Sequence, residues 1–283
     1  MHTKILITGA KGMLGSTLQN VLAEAGYTNI IPYDVDEMDI TDPAKVRDIL
    51  SREKPEFVIN CAAYTNVEAA EDEGKELCHR INHDGARHIA IVCNEIDSKL
   101  IHISTDYVFT TNNPEGNNED DDPGFDQINE YGKSKRLGEV AVREAETDSY
   151  VLRVSWSFGP GGKNFIDTIL RLADEREEIT MVNDEHGVPC YTVDMSKHIL
   201  YVIEHVETLE PGYYHAVNEG HCSRLELAQA ILDISGKKLK LNPITLADYP
   251  RKARISNYLI MNNTKLPKVR HWREAVEAYI RSK

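Results

Sequence analysis

The 283-residue chain carries 46 acidic against 32 basic side chains and a formal net charge of −14, so nucleic acid and acidic membranes are repelled unless a local basic patch intervenes. The length suits one large domain or a domain and a half around a buried core. The N-terminus, MHTKILITGAKG, lacks the apolar core of a signal peptide, and no stretch is long enough to span a bilayer. Cys61, Cys78, Cys93, Cys190 and Cys222 are widely spaced and form no CxxC pair, which fits buried thiols in a reducing compartment. A cytoplasmic protein without nucleic-acid or membrane partners is expected.

Short apolar runs alternate with helical patterns through the first half. KILIT precedes a helix over 13–25, NIIPY a helix over 43–52, and EFVIN a long helix ending near Ile96; KLIHIS, a helix from about Tyr131 and SYVLRVS follow. Such alternation predicts βαβ crossovers and an α/β, Rossmann-type doubly wound parallel sheet.

ITGAKGMLG places Gly9, Gly12 and Gly15 after the first strand and at the opening of the first helix. There they permit a tight turn, backbone approach to a pyrophosphate and close helix–sheet packing, with the anion at the helix N-terminus. Asp34 closes the second strand, nineteen positions beyond Gly15. A carboxylate there accepts from ribose hydroxyls and repels a 2′-phosphate; with Asp36 and Glu37 beside it and no arginine nearby, NADH is favoured over NADPH.

The fourth strand ends in STDYVF, residues 104–109. Strand ends in open α/β sheets deliver side chains to the ligand crevice, and the Thr105 hydroxyl suits a substrate carbonyl oxygen. Ser104 is the alternative, since successive strand residues face opposite ways. The segment from Thr110 to Asn129 has no apolar period, and its acidic run, Glu119 to Asp122, lacks Ca-loop spacing; it reads as a solvated loop. YGKSK then sets Tyr131 and Lys135 on one helix face. A neighbouring ammonium makes the phenol proton more available, so the pair can protonate a carbonyl oxygen as hydride reaches carbon.

Beyond Trp156 helices are joined by isolated strands such as EITMV and GYYHAV, ending in an amphipathic helix over 272–281. This predicts a cofactor domain over 1–155, with segments near 190–217 able to return to its sheet, and a smaller, mainly helical substrate-binding lobe over 156–283. His79 and His83 share i, i+4 spacing without the remaining signature of a zinc site, so no metal ligand is assigned.

Taken in order, GAKGMLG, DITD at 39–42, VINCAAYTNVEAAE at 58–71, IN at 81–82, STDYVF, YGKSKRLGE at 131–139, RVSW at 153–156, NF at 164–165 and NDEHGVP at 183–189 resemble the dTDP-4-dehydrorhamnose reductase family of extended short-chain dehydrogenases/reductases. The resemblance implies NAD(P)H-dependent reduction of the C4 keto group of a nucleotide-linked 6-deoxy-4-keto-hexose, dTDP-4-dehydro-L-rhamnose foremost. It implies Tyr131 as proton donor, Lys135 as its partner and a ribose ligand, and Thr105 as carbonyl anchor. Thr105 and Asp106 would contact the sugar, with Trp156 as its apolar wall. Gly12, Met13 and Leu14 would cradle the pyrophosphate, Asp39 and Ile40 flank the adenine, and Ala62, Ala63 and Tyr64 line the cofactor.

Family members also include magnesium-dependent enzymes with the metal at a dimer interface; a homodimer and magnesium are carried as expectations without assigned residues. The sequence departs from the family at STDYVFTTNN, RVSWSFG, Cys190 and PGFDQINEYG. Arg251, Lys252 and Arg254 would face the substrate diphosphate in an otherwise acidic protein. Two other readings use the same fold: an epimerase or dehydratase with tightly held NAD, and a cofactor-binding regulatory subunit like that of methionine adenosyltransferase.

Overall fold

The computed structural model describes all residues, 1–283. The first half runs β1 (Ile5–Thr8), α1 (Met13–Glu24), β2 (Ile30–Pro32), α2 (Pro43–Glu53) and β3 (Phe57–Asn60), then α3 (Lys75–His79), α4 (Ala86–Glu95), β4 (Lys99–Thr105), α5 (Glu130–Glu144) and β5 (Ser149–Val154). The second half runs β6 (Ser157–Phe158), α6 (Phe165–Glu175), β7 (Glu178–Val182), β8 (His186–Gly187), β9 (Cys190–Tyr191), α7 (Thr192–His205) and β10 (Gly212–His215). It ends with β11 (Cys222–Ser223), α8 (Arg224–Ser235), β12 (Lys240–Ile244), β13 (Tyr258–Leu259) and α9 (Trp272–Arg281).

Local chemistry fixes the element ends. Asp42 caps α2 by accepting from the Ala44 and Lys45 amides, with Pro43 at the first helical position. Asn129 caps α5 through the Gly132 amide, and α8 opens on a Ser223–Glu226 capping box and closes on left-handed Gly236.

The main sheet has six strands in the order β2-β1-β3-β4-β5-β10, every pair parallel. β1 and β3 are buried throughout, as expected of strands covered on both faces. One face packs Leu18 and Leu22 of α1 with Ile199 and Val202 of α7; the other packs Val46 and Ile49 of α2 with Ile89 and Cys93 of α4. The chain leaves β1 toward β2 on one side and reaches β3 on the other, so the topological switch point lies between β1 and β3. Ligands of open α/β sheets bind outside the strand ends at such a point. A third core, with Ile166, Leu227, Ile231, Trp272 and Val276, joins α6, α8 and α9.

The structure differs from the sequence reading at two places. The long helix ending near Ile96 comes in pieces, with a π-helical stretch, Arg80–Gly85, between α3 and α4. The segment 110–129 is not simply solvated: Glu119 is buried and accepts from the Thr264 and Lys265 amides and the Thr264 hydroxyl. Asn117 binds Ile260 through both its amide and its side chain. A buried carboxylate needs such donors, and here the distant segment 264–265 supplies them.

Candidate active site

The glycine loop is built by close backbone approach. Gly9 holds φ +62°, and a Cβ there would lie 2.7 Å from the Ala62 nitrogen, so the β1 loop touches the β3 loop at the switch point. A Cβ on Gly15 would fall 2.3 Å from the Gly9 carbonyl oxygen. The α1 N-cap, Gly12, offers no side-chain cap, which leaves the amides that open the helix beside Met13 and Leu14 available to an anion. The cradle therefore fits a dinucleotide pyrophosphate.

Ala62, Ala63 and Tyr64 lie half-buried at the end of β3. Their loop is set by Asn60, which accepts from the Thr8 hydroxyl and the Ala62 amide and donates to His102, bridging β1, β3 and β4. Asn82, in the π-helical stretch, holds both backbone groups of Tyr64. Both asparagines stand in the family-like runs, at 58–71 and 81–82, but the sequence assigns neither a role; the period break around Asn82 is not visible there, whereas Asn60 at a strand end is a readable signal.

Asp34 accepts from the Lys11 amide at 2.8 Å, and the Lys11 ammonium pairs with Asp36 and Glu37. A cation therefore stands beside Asp34, Asp36 and Glu37, where the sequence shows only acids nearby. Asp39 accepts from the Thr41 amide and hydroxyl, while Ile40 is buried beneath Gly85, whose Cβ would meet it at 2.7 Å.

Helix α5 carries Tyr131 and Lys135. A Cβ on Gly132 would lie 2.3 Å from the Tyr107 carbonyl oxygen, and one on Gly138 2.2 Å from that of Asn82. The first contact presses the helix onto the turn after β4, which brings Tyr131 to Thr105, and the second presses it onto the π-helical stretch. Tyr131 is half-buried, its ring edge-on to Tyr107 with centroids 5.5 Å apart. Burial raises its pKa, opposed by the neighbouring Thr105 hydroxyl. The lowering expected from an ammonium is outweighed, and the phenol stays protonated through neutral pH.

Lys135 is buried and donates to the Ile103 carbonyl oxygen at 2.6 Å. Burial lowers its pKa to about 8, against the raising influence of Glu139, Cys78 and Cys61. Its proximity to Cys61, next to Ala62, connects the helix to the glycine-loop side of the crevice. Asp106 is 1 % exposed, and its oxygens accept from the Thr105 and Ser155 hydroxyls. Of the STDYVF run, Thr105 thus faces the phenol, and Asp106, expected against the sugar, faces inward.

On the other side a cleft of about 450 Å³ is lined by Tyr107, Phe165, Glu185, Arg224, Tyr249 and Arg251, among others. Trp156 stands at its edge: a Cβ on Gly187 would lie 2.5 Å from the indole, and the Arg224 guanidinium sits 3.5 Å from the indole centroid, within cation–π range. Buried Glu185 accepts two bonds from Arg224, at 3.0 and 2.9 Å. Arg251 reaches this cleft and is held by Glu68, but Lys252 turns to Asp72 and Arg254 is exposed. Arg224 was missed because its only local signal is the first position of a capped helix.

His79 pairs with Glu130 and His83 with Asp84. No group of three or more His, Cys, Asp or Glu side chains is placed to hold a metal ion, and no helix is long and apolar enough to cross a membrane.

Residues 3–283 match the RmlD substrate binding domain family. The spore coat polysaccharide biosynthesis protein SpsK of Bacillus subtilis strain 168 is 37% identical, over 99% of this chain and 98% of its own length. The dTDP-4-dehydrorhamnose reductase of Mycolicibacterium smegmatis is 37% identical, over 98% of this chain and 85% of its own. The crystal structure of dTDP-4-dehydrorhamnose reductase from Bacillus anthracis in complex with NADP superposes with a TM-score of 0.93 at 35% identity, covering 100% of both chains.

Proposed function

Because the chain belongs to the RmlD substrate binding domain family, that of the dTDP-4-dehydrorhamnose reductases, we propose that Tyr131, Lys135 and Thr105 carry out the reduction of dTDP-4-dehydro-L-rhamnose to dTDP-L-rhamnose. The enzyme is an NAD(P)H-dependent oxidoreductase. The observation that carries the residue assignment is the meeting of the Tyr131 phenol with the Thr105 hydroxyl at the end of β4, beside a buried lysine.

When bound, NAD(P)H supplies the hydride that reduces the C4 carbonyl carbon. Tyr131 holds the proton that the resulting alkoxide needs and gives it to that oxygen, leaving a phenolate. The Lys135 ammonium stabilises the phenolate and reaches the ribose. Gly9, Gly12, Met13, Leu14 and Gly15 would hold the pyrophosphate; Asp39, Ile40, Ala62, Ala63 and Tyr64 would line the adenosine and nicotinamide portions. Trp156 forms one wall for the sugar. Arg224 and Arg251 face the diphosphate, which charge-assisted bonds recognise well. Residues 1–155 with the returning 190–217 segment form the cofactor lobe, and the rest of 156–283 forms the substrate lobe.

NADH is favoured, since Asp34, Asp36 and Glu37 oppose a 2′-phosphate. Lys11 is the cation that admits NADPH when it leaves Asp36 and Glu37. The test mixes the enzyme with dTDP-4-dehydro-L-rhamnose and each cofactor and follows the nicotinamide absorbance. Stoichiometric bleaching is expected, with Asp34→Ala shifting the KM ratio toward NADPH. Tyr131→Phe should lose turnover about 1,000-fold while binding cofactor nearly as before. Unchanged turnover in that variant would refute the assignment, and product formed without net cofactor oxidation would point to an epimerase.

A further inference from the structure

The Thr105 hydroxyl has one proton, and the structure shows where it goes. Thr105 Oγ1 donates to Asp106 Oδ1 at 2.9 Å, while it accepts from the Tyr107 amide at 3.3 Å. These are its two hydrogen bonds, so one lone pair is left over, with the Tyr131 phenol nearby. A hydroxyl offers one donor and two acceptor sites, so Thr105 has no proton left for a substrate carbonyl while Asp106 is a carboxylate. The second Asp106 oxygen accepts from Ser155 at 2.6 Å, and the side chain is 1 % exposed, so the substrate cannot reach it without displacing these partners.

We propose that Asp106 is a positioning residue for the reduction that acts through Thr105: as a carboxylate it withholds the Thr105 proton from the substrate carbonyl, and as a carboxylic acid it releases that proton to the carbonyl oxygen. In the acid form the Asp106 O–H donates to Thr105 Oγ1, and the threonine O–H is then free to turn outward. The carbonyl oxygen gains a second donor beside Tyr131 as charge develops on it, which is the geometry that stabilises an oxyanion. No bond other than a hydrogen bond is exchanged in this switch. The inference rests on the reduction proposed above and assigns a control to the same site.

The switch falls within a usable pH range. Burial raises the Asp106 pKa to about 6, opposed by the Ser155 and Thr105 hydrogen bonds and by the charge of Arg224. The other titratable groups facing it are Tyr107 on its own turn, Tyr131 from α5 and Cys190 from β9; burial holds all three protonated near neutral pH, so none supplies a competing inflection there. Lys135, lowered to about 8, gives a separate loss of activity at higher pH.

The experiment is the pH profile of kcat/KM for keto-sugar reduction in the wild type, Asp106→Asn, Thr105→Val and Thr105→Ser. The wild type should gain about tenfold as pH falls from 7.5 to 5, with an inflection near 6, the size expected for one added donor of modest strength. Asp106→Asn, whose amide can donate permanently to Thr105, should be flat over that range near the wild-type acid plateau and still lose activity above about 8. Thr105→Val should be slow and flat, and Thr105→Ser should restore both rate and inflection.

Thermal unfolding supplies an independent readout. A carboxyl with a folded pKa above its unfolded value stabilises the fold as pH drops through the folded pKa and penalises it when ionised. Asp106→Asn should therefore raise Tm at pH 7.5 and raise it clearly less at pH 5. An inflection near 6 that persists in Asp106→Asn, a wild-type profile flat from pH 5 to 7.5, or a folded Asp106→Asn protein inactive throughout would each overturn the inference alone. Failure of the wild type to oxidise either cofactor with the keto sugar would overturn the functional reading and this inference together.

Discussion

The two sides of the crevice are built by different physics. On the cofactor side the shape comes from backbone packed against backbone: Gly9 against Ala62, Gly15 against the Gly9 carbonyl, Gly132 against Tyr107. On the substrate side it comes from charged side chains, with Arg224 held between Glu185 and Trp156 and Arg251 between Glu68 and Glu185. A backbone contact leaves no room for a Cβ, whereas an ion pair at a cleft rim can exchange one partner for another. The first kind of surface suits a cofactor of fixed shape, and the second suits a charged substrate that must be exchanged at every turnover.

The sharpest way to break this comparison is Gly15→Ala. Its methyl would sit 2.3 Å from a carbonyl oxygen, and relieving such overpacking costs about 1–3 kcal/mol, so cofactor Kd should rise up to roughly 100-fold in calorimetric titration. A wild-type Kd would show that the loop yields as readily as a side chain. Arg224→Ala comes next: losing charge-assisted bonds worth about 1.5–3 kcal/mol should raise KM for the nucleotide sugar at least tenfold, with cofactor KM unmoved. If cofactor KM rose equally, the two sides would not be separable. Lys252→Ala should be the mildest, since its pair with Asp72 is exposed and such pairs contribute about 0–1 kcal/mol; steady-state kinetics should change less than twofold.

The same division explains what could be read in the sequence. Gly9, Gly12, Gly15, Tyr131 and Lys135 stand at short, fixed spacings because one turn of backbone or helix joins them, and their placement follows from local geometry. The strands announced themselves as apolar runs because both faces of the sheet are covered. Arg224, Glu185 and Glu68 meet across segments far apart in the chain, and no local pattern joins them. Glu119 looked like one more acid in a polar loop, since its donors at Thr264 and Lys265 lie 145 and 146 residues away. Lys11 was overlooked beside Asp34 for the same reason, although the β1–β2 pairing brings their loops together.

The return of α7 and β10 to the main sheet sets a limit on engineering. Ile199, Val202 and Tyr214 belong to the same core as Ile5, Leu18 and Tyr150, and β10 is hydrogen-bonded along β5. A gene cut at codon 155 would strip that sheet of its sixth strand and a covering helix, exposing apolar surface that invites aggregation. Chimaeras meant to graft one relative's sugar preference onto another's cofactor preference therefore need three seams, one near 155 and one on either side of the 190–217 segment, so that the donor contributes two separate inserts.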